Sequence, residues 1–274
     1  MDLSVVIRCA DDPRVFECIN SIDEDVDIIV STSSNDEFEA HLREKGIRYC
    51  LSPRGNLSLT SNIGFDNAKY NKVIITDSDT LFEKQCIKHI FDELDNYKVV
   101  RAKLKFQTDK NIISSKVVSN GRDFVNSKEL AFTPGLGIRK DLLNDIGNFL
   151  FNDVVPFAVD ADLNNRIKNN NVPVRYLHHS AIIHGPESFR HDLKAAYRIG
   201  KGVVISSDSL FMFYHENYSK KNLRRSLKAV HSDDYFELLK QKGLSTFLYQ
   251  LLWDLCFYIG SISERIVGRN IHAV

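Results

Sequence analysis

Two aspartates one residue apart are the clearest sign of chemistry in this sequence. Asp77 and Asp79 flank Ser78 directly after an apolar run at 73–75. Carboxylate oxygens suit Mg²⁺ or Mn²⁺, and a cation held there would neutralise charge building on a departing diphosphate. The same residue types are also typical of a helix N-cap or a polar turn. The pair alone therefore leaves both a metal site and a structural role open.

The surrounding pattern indicates which elements would position this pair. Short apolar, mostly β-branched runs at 5–7, 28–30, 47–49 and 73–75 alternate with helical spacing at 15–22, 38–45 and 57–68. This rhythm predicts a parallel sheet with right-handed crossovers, and the continuous apolar runs predict strands covered by helices on both faces. Ligands of such sheets bind beyond the carboxyl ends of the strands. The acidic pair follows the fourth predicted strand at that edge.

The second half of the chain is less regular. Further strands are predicted at 99–102, 112–118, 174–177 and 181–183, and helices from about 140 and over 160–168. From about residue 189 the pattern becomes almost wholly helical. We therefore divide the chain into an α/β domain over 1–190 and a helical C-terminal region over 191–274.

Composition excludes several classes of protein. The 36 basic and 36 acidic residues cancel, so no overall charge favours nucleic acid as a partner. The five cysteines are scattered without a CxxC pair, which excludes a zinc knuckle or disulfide framework and favours a reducing compartment. The N-terminal residues show neither a basic region nor a cleavage site of a secretory signal. We expect a cytoplasmic location.

The ordered motifs over residues 3–185 resemble glycosyltransferase family 2 of the GT-A fold. Residues 77–79 look like the family's DxD motif, and 56–64 are similar to its Asn-rich, Gly-rich helix start. Residues 3–8 resemble the opening strand that touches the nucleotide base. Downstream, 137–149 resemble the acceptor-side strand and helix, 160–166 the acidic motif, and 181–184 the strand that ends the catalytic domain in a histidine.

The resemblance implies a fold and an activity. The fold is a GT-A α/β domain, Rossmann-like, with a mostly parallel sheet and helices on both faces, followed by a C-terminal helical appendage. The activity is inverting transfer of a sugar from a nucleotide-diphosphate sugar, with UDP as the first expectation, to an acceptor hydroxyl. The acceptor is expected to be a carbohydrate or lipid-linked molecule of cell-envelope glycan or glycolipid assembly.

The resemblance also assigns residues. Asp160 aligns with the catalytic base, with an ordinary N-cap as the alternative, and Asp162 is the fallback base or an i+4 partner of Arg166. The implied ligands of Mn²⁺ or Mg²⁺ are Asp79, Asp77 and His184, although a structural role for His184 is equally open. The expected donor-binding residues are Arg8, Cys9, Ala10, Ser31, Asn56, Asn62, Asp77 and Ser78.

Three positions depart from the family pattern. Hydroxyl residues at 31–34 stand where an aspartate pair usually binds the base, Ser61 replaces a basic residue, and Val159 precedes Asp160 where a glutamate is usual. Arg54 or Lys103 would then supply positive charge near the diphosphate.

The C-terminal region carries an amphipathic pattern. Leucines and isoleucines from 244 to 266 form a stripe at helical spacing, and the opposite face is aromatic at 249, 253, 257 and 258. A basic cluster at 220–228 precedes it. This combination fits docking on the anionic inner face of the cytoplasmic membrane. Packing against the catalytic domain, or a homodimer contact through 244–267, remains open.

Two other functions compete with glycosyl transfer. A sugar-1-phosphate nucleotidyltransferase would need a glycine-rich basic loop after the first strand, which residues 9–13 are not. A non-catalytic nucleotide-sugar-binding protein is favoured only by the missing acidic and basic residues. Asp77, Asp79, Asp160 and His184 together favour an enzyme.

Overall fold

The fold is built on one eight-stranded sheet with a parallel centre. The computed structural model describes residues 1–112, 114–213 and 234–271, with side chains given except at 209–213 and 268–271. The basic cluster at 220–228 lies outside the described residues. The strands are β1 (Leu3–Cys9), β2 (Asp27–Thr32), β3 (Tyr49–Leu51), β4 (Lys72–Asp77), β5 (Thr80–Phe82), β6 (Val99–Phe106), β7 (Leu136–Arg139) and β8 (Val174–His184).

The strand order brings both halves of the chain into this sheet. The order is β3-β2-β1-β4-β7-β6-β8-β5. Neighbours among the first four strands in this order are parallel, β7 is antiparallel to both β4 and β6, and β8 runs parallel to β6 but antiparallel to β5. The predicted mostly parallel α/β sheet is confirmed.

Helices cover both faces of the sheet. They are α1 (Val15–Asn20), α2 (Asp36–Glu44), α3 (Leu57–Asn67), α4 (Cys86–Glu93), α5 (Ser115–Asn126), α6 (Leu143–Ile146), α7 (Val159–Asn169), α8 (Phe189–Phe213) and α9 (Asp234–Ile271), with a 3₁₀ turn at Lys140–Leu142. Successive side chains of β1 point to opposite faces of the sheet and so belong to two hydrophobic cores. Val5 and Ile7 pack with α1, α2 and α4, whereas Val6 packs with α3, α6 and α7.

Three sequence predictions differ from the structure. The strand predicted at 112–118 is wrong, because 115–126 form α5: Val118, Gly121 and Val125 recur at helical spacing, and Val118 packs against α8 and α9. The third strand begins two residues late, at Tyr49. The two strands predicted at 174–183 are one strand, β8, whose register shifts opposite residues 102 and 103.

A third apolar cluster joins α5, α8 and α9. The aromatic face of α9 is the buried one: Tyr249, Trp253 and Phe257 pack against α5 and α8. The aliphatic stripe of α9 faces outward, with Leu255 55% and Ile262 53% exposed. Within the described residues no helix has both the length and the apolar character needed to cross a bilayer.

Helices α8 and α9 approach each other backbone to backbone at two glycines. A Cβ at Gly260 would lie 2.0 Å from the Tyr197 carbonyl oxygen, and a Cβ at Gly200 would lie 2.0 Å from the Phe257 carbonyl oxygen. Neither distance is sterically possible, so any larger residue would force the helices apart.

We expect Gly260→Ala to lower the free energy of unfolding by about 1–3 kcal/mol, the usual cost of overpacking, in urea denaturation. Gly121→Ala is the matched control, since its Cβ would meet nothing closer than 3.8 Å. In the middle of α5 it should leave stability unchanged or raise it by about 0.5–1 kcal/mol. Equal stability of Gly260→Ala and the wild type would contradict the close approach.

Candidate active site

A cleft of about 700 Å³ opens at the carboxyl ends of β1 and β4 and extends to α5, α8 and α9. Most residues predicted from the sequence line it: Arg8, Cys9, Ala10, Asn56, Asp77, Ser78, Asp79, Asp160 and His184. Three do not: Ser31, Asn62 and Asp162. The sheet edge expected to bind ligands therefore forms one end of the cleft.

The buried side chain of Arg8 connects the residues at the sheet-edge end of the cleft. The parallel register places Arg8 beside Asp77, and Arg8 donates from Nε and Nη2 to the two carboxylate oxygens at 2.8 and 3.0 Å. Arg8 also donates to the Ser61 hydroxyl at 3.3 Å and the Thr133 hydroxyl at 2.8 Å. Arg8 thus supplies positive charge beside Ser61, the position where the family usually has a basic residue.

The two basic residues suggested for that charge lie elsewhere. Arg54 pairs with the Asp11 carboxylate and donates to the Ser33 carbonyl oxygen at 3.2 Å, and Lys103 is exposed outside the cleft. Sequence analysis missed Arg14, whose Nη2 lies 2.7 Å from Asp12 and 3.6 Å from Asp79. Little in the sequence indicates this role, because Arg14 lies in an irregular loop after β1.

Asp160 lies in the first turn of α7, at the positive end of the helix dipole. The Thr133 hydroxyl, which accepts from Arg8, lies 2.8 and 3.0 Å from the two Asp160 carboxylate oxygens and donates to them. Burial raises the pKa of the Asp160 carboxyl, while the charge of Arg8 and the Thr133 hydrogen bond oppose that shift. A carboxylate with a raised pKa is suited to accept a proton.

Asp162 has no access to the cleft. Its carboxylate is fully buried and accepts from Arg166 Nε and from the Ser206 hydroxyl, both at 2.9 Å. The Arg166 guanidinium also donates to the carbonyl oxygens of Ile146 and Phe149. Of the two roles considered for Asp162, the structure shows the ion pair with Arg166, which fixes α7 to the loop that precedes it.

Three predicted donor-binding residues hold the scaffold. Asn62 donates to the Phe151 carbonyl oxygen at 2.7 Å and the Asp153 carboxylate at 2.6 Å, and Asn56 donates to the Asp153 carbonyl oxygen at 2.8 Å. Both asparagines thus tie α3 to the loop before α7. The Ser31 hydroxyl is buried and donates to the Thr60 carbonyl oxygen at 2.6 Å.

Cys9 at the end of β1 and Ser78 just after β4 have small roles at the cleft wall. Burial raises the pKa of the Cys9 thiol to about 11, so this residue is a neutral thiol at physiological pH. The Ser78 hydroxyl lies 3.4 Å from the Asp12 carboxylate.

Among the described residues, Asp79, His184 and Glu187 form a cluster able to hold a metal ion. Their ligand atoms all lie within 4.8 Å of one another. The His184 Nδ1 lies 2.9 Å from the Gly185 carbonyl oxygen, and donation to that oxygen leaves the Nε2 lone pair free, 3.5 Å from Asp79 Oδ2. Two carboxylates and an imidazole fit Mn²⁺ or Mg²⁺.

The cluster differs from the ligand set implied by the resemblance. Asp77 is absent from it, because Arg8 binds both of its oxygens. Glu187 takes its place, three residues beyond the end of β8. Burial is the main cause that raises the pKa of both the Asp79 and the Glu187 carboxyl. The sequence analysis missed Glu187, whose signal is an acidic residue shortly after His184 at the end of β8.

Comparison with known proteins finds a family model that matches part of this chain. Residues 13–130 match the model of Glycosyl transferase family 2. No curated protein sequence compared with the chain matches it significantly.

Solved structures of S. aureus TarS share the fold. TarS 1–349 with UDP-GlcNAc is 15% identical with a TM-score of 0.53, over 97% of this chain and 92% of that one. The same fragment with UDP is 16% identical with a TM-score of 0.51, over 97% and 91%. A longer TarS chain is 15% identical with a TM-score of 0.51; the match covers 96% of this chain but only 55% of that one. The predicted GT-A fold is thus confirmed.

The metal cluster predicts the behaviour of two variants. UDP should raise the melting temperature more with Mn²⁺ than without it, because bound ligand stabilises the folded state. Asp79→Ala and Glu187→Gln should remove the Mn²⁺-dependent part in thermal-shift titrations, whereas Asp77→Ala should weaken UDP binding with and without metal. The control is Glu83→Gln, a carboxylate paired with Lys105 outside the cleft. If the UDP-induced thermal shift of Asp79→Ala depends on Mn²⁺ as it does in the wild type, the assignment of Asp79 as a metal ligand is wrong.

Proposed function

We propose that this chain belongs to glycosyltransferase family 2, whose model its residues 13–130 match. In this proposal it transfers a sugar with inversion from a nucleotide-diphosphate sugar to an acceptor hydroxyl. The observation that carries the proposal is the hydrogen-bonded line from Asp77 through Arg8 and Thr133 to Asp160. It joins a carboxylate at the DxD position to a candidate base that lines the same cleft.

UDP is the proposed nucleotide. Support comes from the fold shared with a protein whose structures hold UDP-GlcNAc and UDP. The base would lie near the end of β2, where Ser33 of the hydroxyl-rich segment 31–34 lines the cleft.

In this proposal the metal cluster and Arg14 place positive charge beside the diphosphate. Asp79, His184 and Glu187 would hold Mn²⁺ or Mg²⁺, which supplies neutralisation of charge on the leaving diphosphate. The Arg14 guanidinium, half exposed beside Asp79, adds a second positive charge at the same end of the cleft.

Asp160 acts as the base. The acceptor oxygen bonds to the anomeric carbon as the bond from that carbon to the diphosphate oxygen breaks, and the acceptor's proton passes to the Asp160 carboxylate. Thr133 holds the carboxylate in place, and the charge of Arg8 opposes the rise in the Asp160 pKa that burial causes. The transition state has oxocarbenium character, so negative charge near the anomeric carbon also stabilises it.

The helical region over 191–274 belongs to this site in the proposal. Residues of α8 and α9 line the cleft together with residues of the 1–190 domain. We therefore propose that the two regions share one substrate site, with the helical region on the acceptor side.

We expect Asp160→Asn to reduce transfer by roughly 10²–10⁴, because the amide keeps the shape but cannot accept the proton. The UDP-induced thermal shift should persist. Transfer is measured as UDP release from a panel of UDP-sugars with cell-envelope lipid extract as the acceptor source. Asp162→Asn is the contrast: it should chiefly lower stability, by about 3–5 kcal/mol for a broken buried pair. Near wild-type transfer by Asp160→Asn would mean that another group takes the proton.

The outer face of α9 is proposed to dock on an anionic membrane at the cytoplasmic side. Its leucines and isoleucines are about half exposed, as at Leu248 with 54% and Ile259 with 49%. Contiguous exposed apolar surface of this kind marks an interaction site. The basic cluster at 220–228 precedes α9 in sequence and is complementary to anionic headgroups. A lipid-linked acceptor of envelope glycan assembly would reach the cleft from that surface.

The docking face predicts a lipid-dependent loss of binding. The double substitution Leu255→Glu with Ile262→Glu should abolish co-sedimentation with phosphatidylglycerol vesicles, because both side chains are exposed and the charges would enter the bilayer interface. Leu51→Glu, equally exposed on β3, should bind as the wild type does. If the wild-type chain ignores these vesicles and instead elutes as a dimer that the double substitution dissociates, the face is a homodimer contact.

A further inference from the structure

Four arginines line the cleft, and one of them lacks the partner that the others have. Arg8, Arg14 and Arg122 each form an ion pair with an aspartate, at 2.7 or 2.8 Å. Arg198 of α8 has neither an ion pair nor a side-chain hydrogen bond with any residue that the structure describes. A guanidinium group is always charged and carries five N–H donors. Arg198 is therefore the cleft arginine whose charge and donors are open to a ligand.

Arg198 lies beside the segment that carries the candidate base. The residue is exposed, and its guanidinium carbon lies 5.4 Å from the ring centroid of Phe157. The backbones also touch here, because a Cβ at Gly202 of α8 would lie 2.1 Å from the Phe157 carbonyl oxygen. Phe157, Arg198 and Asp160 line the same cleft. The free charge is thus held on the segment that positions the residue proposed to take the acceptor's proton.

Two more cations extend this charge along α8. Arg190 and Lys194 precede Arg198 at intervals of four residues, and both are exposed and unpaired within the described part of the chain. Like charges at this spacing destabilise a helix by about 0.2–0.5 kcal/mol per pair, and Arg190 lies in the first turn, where the helix dipole opposes a positive charge. By contrast, Lys201 is paired with Glu264 at 3.0 Å. A bound anion would offset the repulsion within the row from 190 to 198.

The row is separate from the part of the site that would hold the donor diphosphate. Glu187 of the metal cluster lies two residues before α8 begins at Phe189. Arg198 lies nine residues further along the helix, roughly 13 Å at 1.5 Å per residue. A diphosphate bound to the metal would lie near the start of α8, so Arg198 is placed for a second anionic group. Phosphate suits it, because the planar guanidinium binds two phosphate oxygens at once.

We propose that Arg198 forms an anion-binding subsite for a phosphate group of the acceptor, and that Lys194 and Arg190 extend this subsite along α8. The inference rests on the proposed glycosyl transfer, in which the helical region lies on the acceptor side. It adds the chemical class of the acceptor, a molecule that carries phosphate near the hydroxyl that receives the sugar. Arg198 binds the acceptor and takes no part in the bond changes.

Glucose 6-phosphate and glucose are matched probes for this subsite, since they differ only in the phosphate. Each is titrated into the full chain by saturation-transfer NMR, with UDP and Mg²⁺ in excess so that the donor site is occupied. Glucose 6-phosphate should bind saturably and about tenfold more tightly than glucose, equivalent to roughly 1.4 kcal/mol. Its affinity should fall as salt is raised, because the charges are exposed. Equal affinities, or no binding of glucose 6-phosphate, would overturn the subsite.

Variants test the assignment to Arg198. Arg198→Ala should weaken glucose 6-phosphate by about tenfold, and Arg198→Lys should lie between, because it keeps the charge but loses the second donor of the fork. The control Lys201→Ala removes a cation of the same helix that is paired and does not line the cleft, so it should bind as the wild type does. An unchanged affinity in Arg198→Ala, in protein that still shows the thermal shift by UDP with Mn²⁺, would contradict the proposal.

Two further readouts identify the source of the anion. Arg198→Ala should co-sediment with phosphatidylglycerol vesicles as the wild type does. If vesicle binding falls while the affinity for glucose 6-phosphate does not, the row binds lipid headgroups and the subsite is wrong. If the thermal shift by UDP with Mn²⁺ is lost in Arg198→Ala but not in Lys201→Ala, Arg198 belongs to the donor site and the inference is also wrong.

The wild-type chain separates this inference from the proposed function. A thermal shift by UDP with Mn²⁺ reports the donor site without any acceptor. If the shift is present and glucose 6-phosphate does not bind, the subsite alone fails. If the shift is absent, the proposed function fails, and the inference that rests on it fails as well.

Discussion

The site depends on the burial of one guanidinium group. Arg8 is only 5% exposed, and such a charge is stable inside a protein only when neighbouring groups compensate it. Asp77 supplies the opposite charge, and the hydroxyls of Ser61 and Thr133 accept further hydrogen bonds. These partners come from β4, from α3 and from the segment before β7. Three separate parts of the chain therefore meet at the end of β1, because each supplies a group that compensates the buried charge of Arg8.

The charge of Arg8 also separates the roles of the carboxylates. Asp77 is held by a bidentate ion pair with Arg8. The cluster suited to a cation therefore excludes Asp77 and consists of Asp79, His184 and Glu187. Asp160 is hydrogen-bonded to Arg8 only through Thr133 and remains subject to desolvation, which raises its pKa. Asp162, two residues later on α7, faces Arg166 instead. Four aspartates with similar sequence surroundings thus have four different environments.

Sequence patterns predicted the sheet well, because β1, β2 and β4 are buried on both faces and their apolar runs are continuous. They left the packing open where two faces of one element are both apolar. In α9 the aliphatic stripe has the clearer helical period, yet the aromatic face is buried, because only the partners on α5 and α8 decide between them. The same partners make 115–126 a helix despite its valines. Glu187 and Arg14 escaped notice because each acts through distant residues that no local spacing reveals.

The contact of α8 and α9 at Gly200 and Gly260 bears on how the specificity of such a chain can change in evolution. Since the two backbones already touch, the helices cannot move closer, and any side chain at either glycine would prise them apart. The spacing between the two helices is in effect a constant of the scaffold. The shape of the cleft on this side can then change only by exchange of single side chains along the inner faces of α8 and α9, although the two glycines that set the spacing do not line the cleft.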